Sequence, residues 1–172
     1  MAVLTDGQIP VLDSSVLNFK TATKTKPIKA KHMQHLLCDE FVLSKFLLST
    51  LEGNQMLKAN SMVCVVEAND AWQQTSEKLF DKYTVTGVDE TGWMIYEPKP
   101  DNEVWASEID GIFFEFGPDE QFAVKAQWGE RQSDGTFLLY GVKGDFVLKS
   151  KTDPTDVWIV KNGLFISTYD FK

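Results

Sequence analysis

The 172-residue chain has two cysteines, two histidines and one arginine, and no long apolar run. Each scarcity removes a class of function. Two cysteines cannot build the disulfide framework of a small secreted scaffold. Cys38 and Cys64 lie inside apolar stretches, so buried free thiols are expected. The richest apolar stretch, FVLSKFLLSTL at 41–51, is broken by Lys45 and is too short to span a bilayer. The opening residues MAVLTDGQIP lack a charged segment followed by an apolar one, so no secretory leader is read there. Cytoplasmic residence is the expectation, with leaderless secretion as the open alternative. Phosphate loops, the dinucleotide fingerprint, the Gly-x-Ser-x-Gly elbow and the His-Glu-x-x-His motif are missing. No catalytic residue, cofactor or metal is therefore expected.

What is present is acid, unevenly placed. Residues 61–120 hold three Lys against fourteen Asp and Glu, a net −11, while the flanking segments are slightly positive. A field of that sign repels phosphates, which disfavours direct nucleic-acid binding, and it suits a basic protein partner. A solvated surface that maintains solubility is the plainer account.

Periodicity organises the rest. Residues 1–26 read as an extended arm, and Pro27 to Met33 as a strand. Leu36, Leu37, Phe41, Val42, Phe46, Leu47 and Leu51 recur at three- and four-residue spacing. They predict one main amphipathic helix over 34–51, stopped by Gly53-Asn54. Met62 to Glu67 reads as an internal strand, and Ser76 as the cap of a short helix. Strands follow near 83–88, 92–97, 103–106, 111–116, 121–128, 136–142, 145–149 and 157–160, separated by Gly-, Pro- and Asp-rich turns. A second short helix is expected near 163–168.

Two segments repeat one plan. SMVCVVEANDAWQQTSEKLFDKYT at 61–84 and DFVLKSKTDPTDVWIVKNGLFISTYD at 145–170 each run strand, turn, Trp, Leu-Phe, Tyr. Upstream, PIKAKHM at 27–33 matches AVKAQWG at 123–129. The predicted fold is α+β and mostly antiparallel, two related β-rich units with one main helix. The organisation read is an arm at 1–26, a first unit at 27–88, acidic connecting strands at 89–120 and a second unit at 121–172, together expected to form one compact domain.

Several constellations carry candidate chemistry. His35 has helical spacing to Cys38 and Asp39, with His32 nearby, but a second Cys-His pair is lacking, so zinc is not expected. Asp145 and Asp156 lie beside strands at turns, Trp158 follows Asp156 at period-two spacing, and Trp128 sits in the matched unit. Asp145, Asp156, Trp128 and Trp158 are the candidate ligand- or partner-binding surface: an acceptor pair beside an aromatic plate. The same residues fit a structural role, with Asp capping amides and Trp filling core.

The run GVKGDFVLKSKTDPTDVWIVKNGLFISTYDF resembles the bacterial and phage PGDYG-motif family. Gly144-Asp145-Phe146 matches that family's Gly-Asp-aromatic strand start. Pro154-Thr155-Asp156-Val157-Trp158 stands in the place of the namesake motif, and Phe165 to Tyr169 matches a Phe-x-x-x-Tyr closure. Thr155, Val157 and Trp158 depart from the motif. The resemblance implies tandem units and no activity, because the family's function is unknown.

The expected function is non-catalytic binding of a protein or small ligand through an aromatic and acidic β surface. The alternatives are a carboxylate-based, metal-assisted enzyme using Asp145 and Asp156, and an acidic nucleic-acid mimic of the phage counter-defence type.

Overall fold

The computed structural model describes residues 3–4, 8–33, 35, 47–50, 53–58, 60–66, 70–110 and 115–172. Most of the expected helix at 34–51 and most of the expected strand at 111–116 lie outside them. His35 is helical, and at the other end of the segment the expectation is corrected. Leu47–Thr50 is a strand, paired antiparallel with Gly53–Met56. Gly53-Asn54, read as a helix stop, opens the return strand instead, because the same residues serve a hairpin as well as a helix end. Among the described residues no helix is long and apolar enough to cross a membrane.

The described residues form mostly antiparallel β sheets with short helices, an α+β arrangement. It divides into two compact units. Unit 2 is Lys24–Asn102, and unit 1 is Met1–Thr23 with Glu103–Lys172.

Unit 2 is built on one five-stranded sheet. Its strands are β4 (Ile28–His32), β7 (Ser61–Val65), β8 (Ala71–Thr75), β9 (Tyr83–Val88) and β10 (Met94–Pro98), in the order β8-β7-β4-β10-β9. Between β8 and β9 lies helix α1 (Ser76–Lys82). Its cap is Thr75, one residue before the expected Ser76; the Thr75 hydroxyl accepts from the Lys78 amide at 3.2 Å. Glu77 in the first turn and Lys82 in the last suit the helix dipole. Seven residues do not hold a helix unaided, and Leu79 is the side chain that buries it. Leu79 packs on one sheet face with Ile28, Ala30, Met62, Cys64, Tyr83 and Tyr96.

Unit 1 has two sheets. One holds β3 (Lys20–Lys24), β11 (Glu103–Glu108), β15 (Phe146–Ser150), β16 (Val157–Val160) and β17 (Tyr169–Phe171), in the order β16-β15-β11-β3-β17. Lys24, the last residue of β3, is counted in unit 2. The other sheet holds β1 (Val3–Leu4), β2 (Pro10–Leu12), β12 (Gln121–Ala126), β13 (Glu130–Arg131) and β14 (Phe137–Val142), with β2 parallel to β12. Leu12, Phe122, Val124 and Leu139 of this second sheet bury against Val147, Val157 and Ile159 of the first. A Cβ at Gly141 would meet the ring of its cross-strand partner Phe122 at 2.6 Å and Ile159 of the facing sheet at 3.2 Å, so glycine makes room for both. The opposite face of the first sheet is covered by helix α2 (Asn162–Thr168), through Phe165 stacked on Phe146 at 3.8 Å.

Several sequence-level expectations meet these strands. Pro10–Leu12 and Lys20–Lys24, inside the segment read as an arm, are sheet strands. Val63, Val124, Phe146, Leu148 and Ile159 are buried and Val65 is half-buried. Segment 123–129 does not join the sheet that holds 145–170; it belongs mainly to β12 in the second sheet. The strand that stands to β15 as β4 stands to β7 is β11. Ala30 faces Cys64, and Ala106 faces Leu148.

Candidate functional site

Asp145 is spent inside unit 1. Gly144, at φ +92°, turns the chain from β14 into β15, and the Asp145 side chain folds back beneath it. One carboxylate oxygen accepts from the Val142 amide at 3.0 Å and from Lys161 Nζ at 2.9 Å. The other accepts from the Asn162 amide at 3.2 Å. Lys161, at the N-cap of α2, supplies no capping side chain of its own. Asp145 therefore caps that helix from the neighbouring hairpin, and Asn162 Nδ2 donates to the Gly144 carbonyl at 2.8 Å. The residue is 3% exposed.

Trp158 is half-buried. It faces Leu148 across the β15–β16 hairpin and packs against the unit 1 core. Its indole N–H donates to the Tyr169 hydroxyl, which partly offsets the rise that burial imposes on the Tyr169 pKa. Asp156 lies in the turn before β16, where its amide donates to the Asp153 carbonyl and its carbonyl accepts from the Ser150 amide, each at 3.0 Å. Gln127 Nε2 donates to the Asp153 carboxylate at 2.9 Å and to the Thr155 hydroxyl at 2.7 Å. This joins the loop carrying Trp128 to the turn carrying Asp156. Trp128 is half-buried against the same core as Trp158. Of the four candidate residues, Trp128 and Asp156 thus lie in segments that Gln127 joins, while Asp145 serves the start of α2.

A second surface lies in unit 2, which sequence reasoning missed. Phe80 is 53% exposed although it follows buried Leu79. On a seven-residue helix, adjacent apolar residues cannot both face the sheet. Phe80 stacks on Tyr96 instead, with ring centroids 6.3 Å apart. Tyr96 faces Val85 across β9–β10, and Met94 faces Val88. Val85, Val88 and Met94 are exposed, Val88 at 60%. Exposed Glu77, Asp81 and Glu90 accompany this apolar strip in sequence. The signal for it is the uncharged run YTVTGV at 83–88, which reads as core when only periodicity is considered.

The acids of residues 61–120 divide between the two units. Asp89 organises the β9–β10 turn: it binds Lys29 Nζ, the Thr91 hydroxyl and the Thr91 and Trp93 amides at 2.8–2.9 Å. Those bonds, the Lys29 one above all, hold its carboxyl well below the usual range. Glu103 is held by Lys151 and Lys172. Asp70 is buried.

Lys24 is the unusual cation. It is buried, with Nζ 5.5 Å from the centre of the Trp72 ring. Burial pushes its pKa down to about 8, opposed by the charge of Asp70. Burial likewise pushes the Cys64 thiol up to about 12, although Gln74 Nε2 donates to its sulfur at 3.2 Å. A thiol so shifted is no nucleophile near neutral pH. Cys38 and Asp39 lie outside the described residues. Among the described residues no three metal-ligating side chains converge. Comparison of the chain with family models, curated proteins and solved structures gives no match.

Proposed function

We propose that this is a non-catalytic binding protein that docks a polypeptide partner on the apolar strip of unit 2. The observation that carries the reading is the strip itself, Phe80, Tyr96, Val85, Val88 and Met94, which runs from the buried face of the sheet out to solvent. Contiguous apolar surface with charged neighbours is characteristic of protein-docking sites. Glu77, Lys78, Asp81, Lys82 and Glu90 border the strip with charges of both signs and favour a partner whose rim also carries both. Trp128 and Asp156 remain a secondary surface on this reading, and Asp145 and Trp158 are scaffold. The test is capture of cross-linked partners by the immobilised full chain. Phe80→Glu or Val88→Glu should reduce capture at least about tenfold, equivalent to about 1.4 kcal/mol, with the melting temperature nearly unchanged. Undiminished capture by both variants would remove the strip from consideration.

We also infer that the two units derive from one ancestral β–β–α–β element, and that the chain is a divergent relative of the PGDYG-motif family. The support lies in register. Trp72 faces Cys64 as Trp158 faces Leu148. Tyr83 and Tyr169 end their helices with almost the same φ and ψ, their amides donating to Leu79 and Phe165 respectively. Leu79 thus corresponds to Phe165, one residue from the pairing that the Leu-Phe motif suggests. Replacing segment 72–83 with segment 158–169 should leave a cooperatively folding protein. Loss of cooperative unfolding on that exchange would count against common descent.

A further inference from the structure

The outer edge of β9 is long, uncharged and exposed, whereas β16, an edge strand that is also uncharged, is buried except for half-buried Trp158. β8 is covered: the Gln73 side chain accepts from the Lys58 amide at 2.9 Å and donates to the Met56 carbonyl at 2.6 Å. β13 has two residues, both charged. β17 has three, including Asp170, and Lys172 just beyond it is tied to Glu103. β9 has six residues, Tyr-Thr-Val-Thr-Gly-Val, with neither a charge nor a proline. Thr84, Val85, Thr86 and Val88 are exposed. Such an edge offers its backbone to another strand, and proteins commonly block it with charge, proline or brevity. The one device present is a bulge. Val85 faces Tyr96 and Gly87 faces Ile95, so Thr86 is an extra residue.

We propose that β9 is a self-association edge, where it pairs antiparallel with β9 of a second copy of this chain. The proposal rests on the docking reading above and names its partner. Charge selects the occupant and the direction. Lys82 precedes the strand, and its carbonyl accepts from the Lys99 amide at 2.9 Å, so the ladder begins there. Asp89 and Glu90 follow the strand. Antiparallel self-pairing sets the Lys82 end of each copy against the Glu90 end of the other, twice by symmetry, whereas parallel pairing sets like against like. The two-fold also places the Val85 and Val88 side chains of both copies along one continuous sheet face, which removes apolar area from water. The bulge at Thr86 sharpens the local twist and keeps the shared ladder short, so the dimer belongs to the weak class.

Sedimentation equilibrium of the full chain, from micromolar to millimolar concentration, tests this. The mass should rise from 19.5 kDa toward twice that value. Val85→Lys should hold the chain as a folded monomer across the range. Lys82→Glu and Glu90→Lys should each weaken dimerisation about tenfold, and their combination should restore it. A wild-type chain that stays monomeric throughout overturns self-association. If Val88→Glu then still abolishes partner capture, the strip binds a different polypeptide and the docking reading stands. A dimer indifferent to Val85→Lys places the interface elsewhere and overturns the assignment to β9.

Discussion

Trp72 and Trp158 stand at matched positions in their hairpins, and each hairpin leads into a seven-residue helix that a tyrosine closes. The two units solve the start of that helix differently. In unit 2 the cap is local, since Thr75 accepts from Lys78 three residues on. In unit 1 Lys161 cannot cap, and the work passes to Asp145 across the hairpin. The residue in the place of Asp145 in unit 2 is Ser61, whose hydroxyl donates only to the nearby Lys58 carbonyl. Asn60 at φ +61° takes the place of Gly144 at φ +92°. A helix of this length is thus started by either a local cap or a distant one. The distant cap makes the helix depend on the hairpin turn, and the local cap frees that turn to vary.

The contrast extends to the strand after the helix. In unit 1, β17 is short and bordered by charge; in unit 2, β9 is long and uncharged. The neighbouring strand also arrives from opposite chain directions: β10 follows β9 in sequence, whereas β3 precedes all other strands of its sheet.

The largest expected effect breaks the capping contrast. Asp145→Ala leaves the Val142 and Asn162 amides and Lys161 without their acceptor. It should cost about 3 kcal/mol in urea unfolding, whereas Ser61→Ala in unit 2 should cost about 1 kcal/mol. Equal losses would mean that Asp145 does not hold α2. A smaller effect sharpens the asymmetry in buried charge, because Lys24 belongs to unit 2. Its folded pKa of about 8 lies below its ordinary 10.5. Between those values the unfolded chain binds more protons, so the penalty of burying the ammonium is full below pH 8 and fades as pH rises. From pH 7 to 9 the wild type should therefore gain about 1 kcal/mol relative to Lys24→Met. Taking the difference cancels the opposing loss from Cys64, whose raised folded pKa costs stability as pH passes 9. Parallel pH profiles for the two proteins would show that Lys24 keeps its proton.

Much of this architecture was legible in the sequence. Turn residues bracket β10, β14 and β15, and the antiparallel pairing of these strands follows from them. What failed was non-local. PIKAKHM shares more letters with AVKAQWG than with EVWASEI, yet Ala106, not Ala123, occupies the place of Ala30, because sheet position is set by distant partners. Leu-Phe suggested a pairing one residue off, since adjacent apolar residues do not reveal which faces the sheet. Asp145 was legible as a turn residue, but its role depends on Asn162, seventeen residues away. The exposed strip was hidden for the opposite reason: valines in a strand look like core until their neighbours are known.

The path of the chain through unit 1 has a kinetic meaning. Thr23 and Glu103 face one another across β3–β11, and all of unit 2 lies between them in sequence. Joining two strands across so long a loop is slow and entropically costly while the loop is loose. Within unit 2, however, the Lys24 amide donates to the Asn102 carbonyl at 3.3 Å, so its own folding brings its two ends together. Unit 2 then acts as an internal template. Once it has formed, the long loop behaves as a hairpin turn, and β3 joins β11 by a local step.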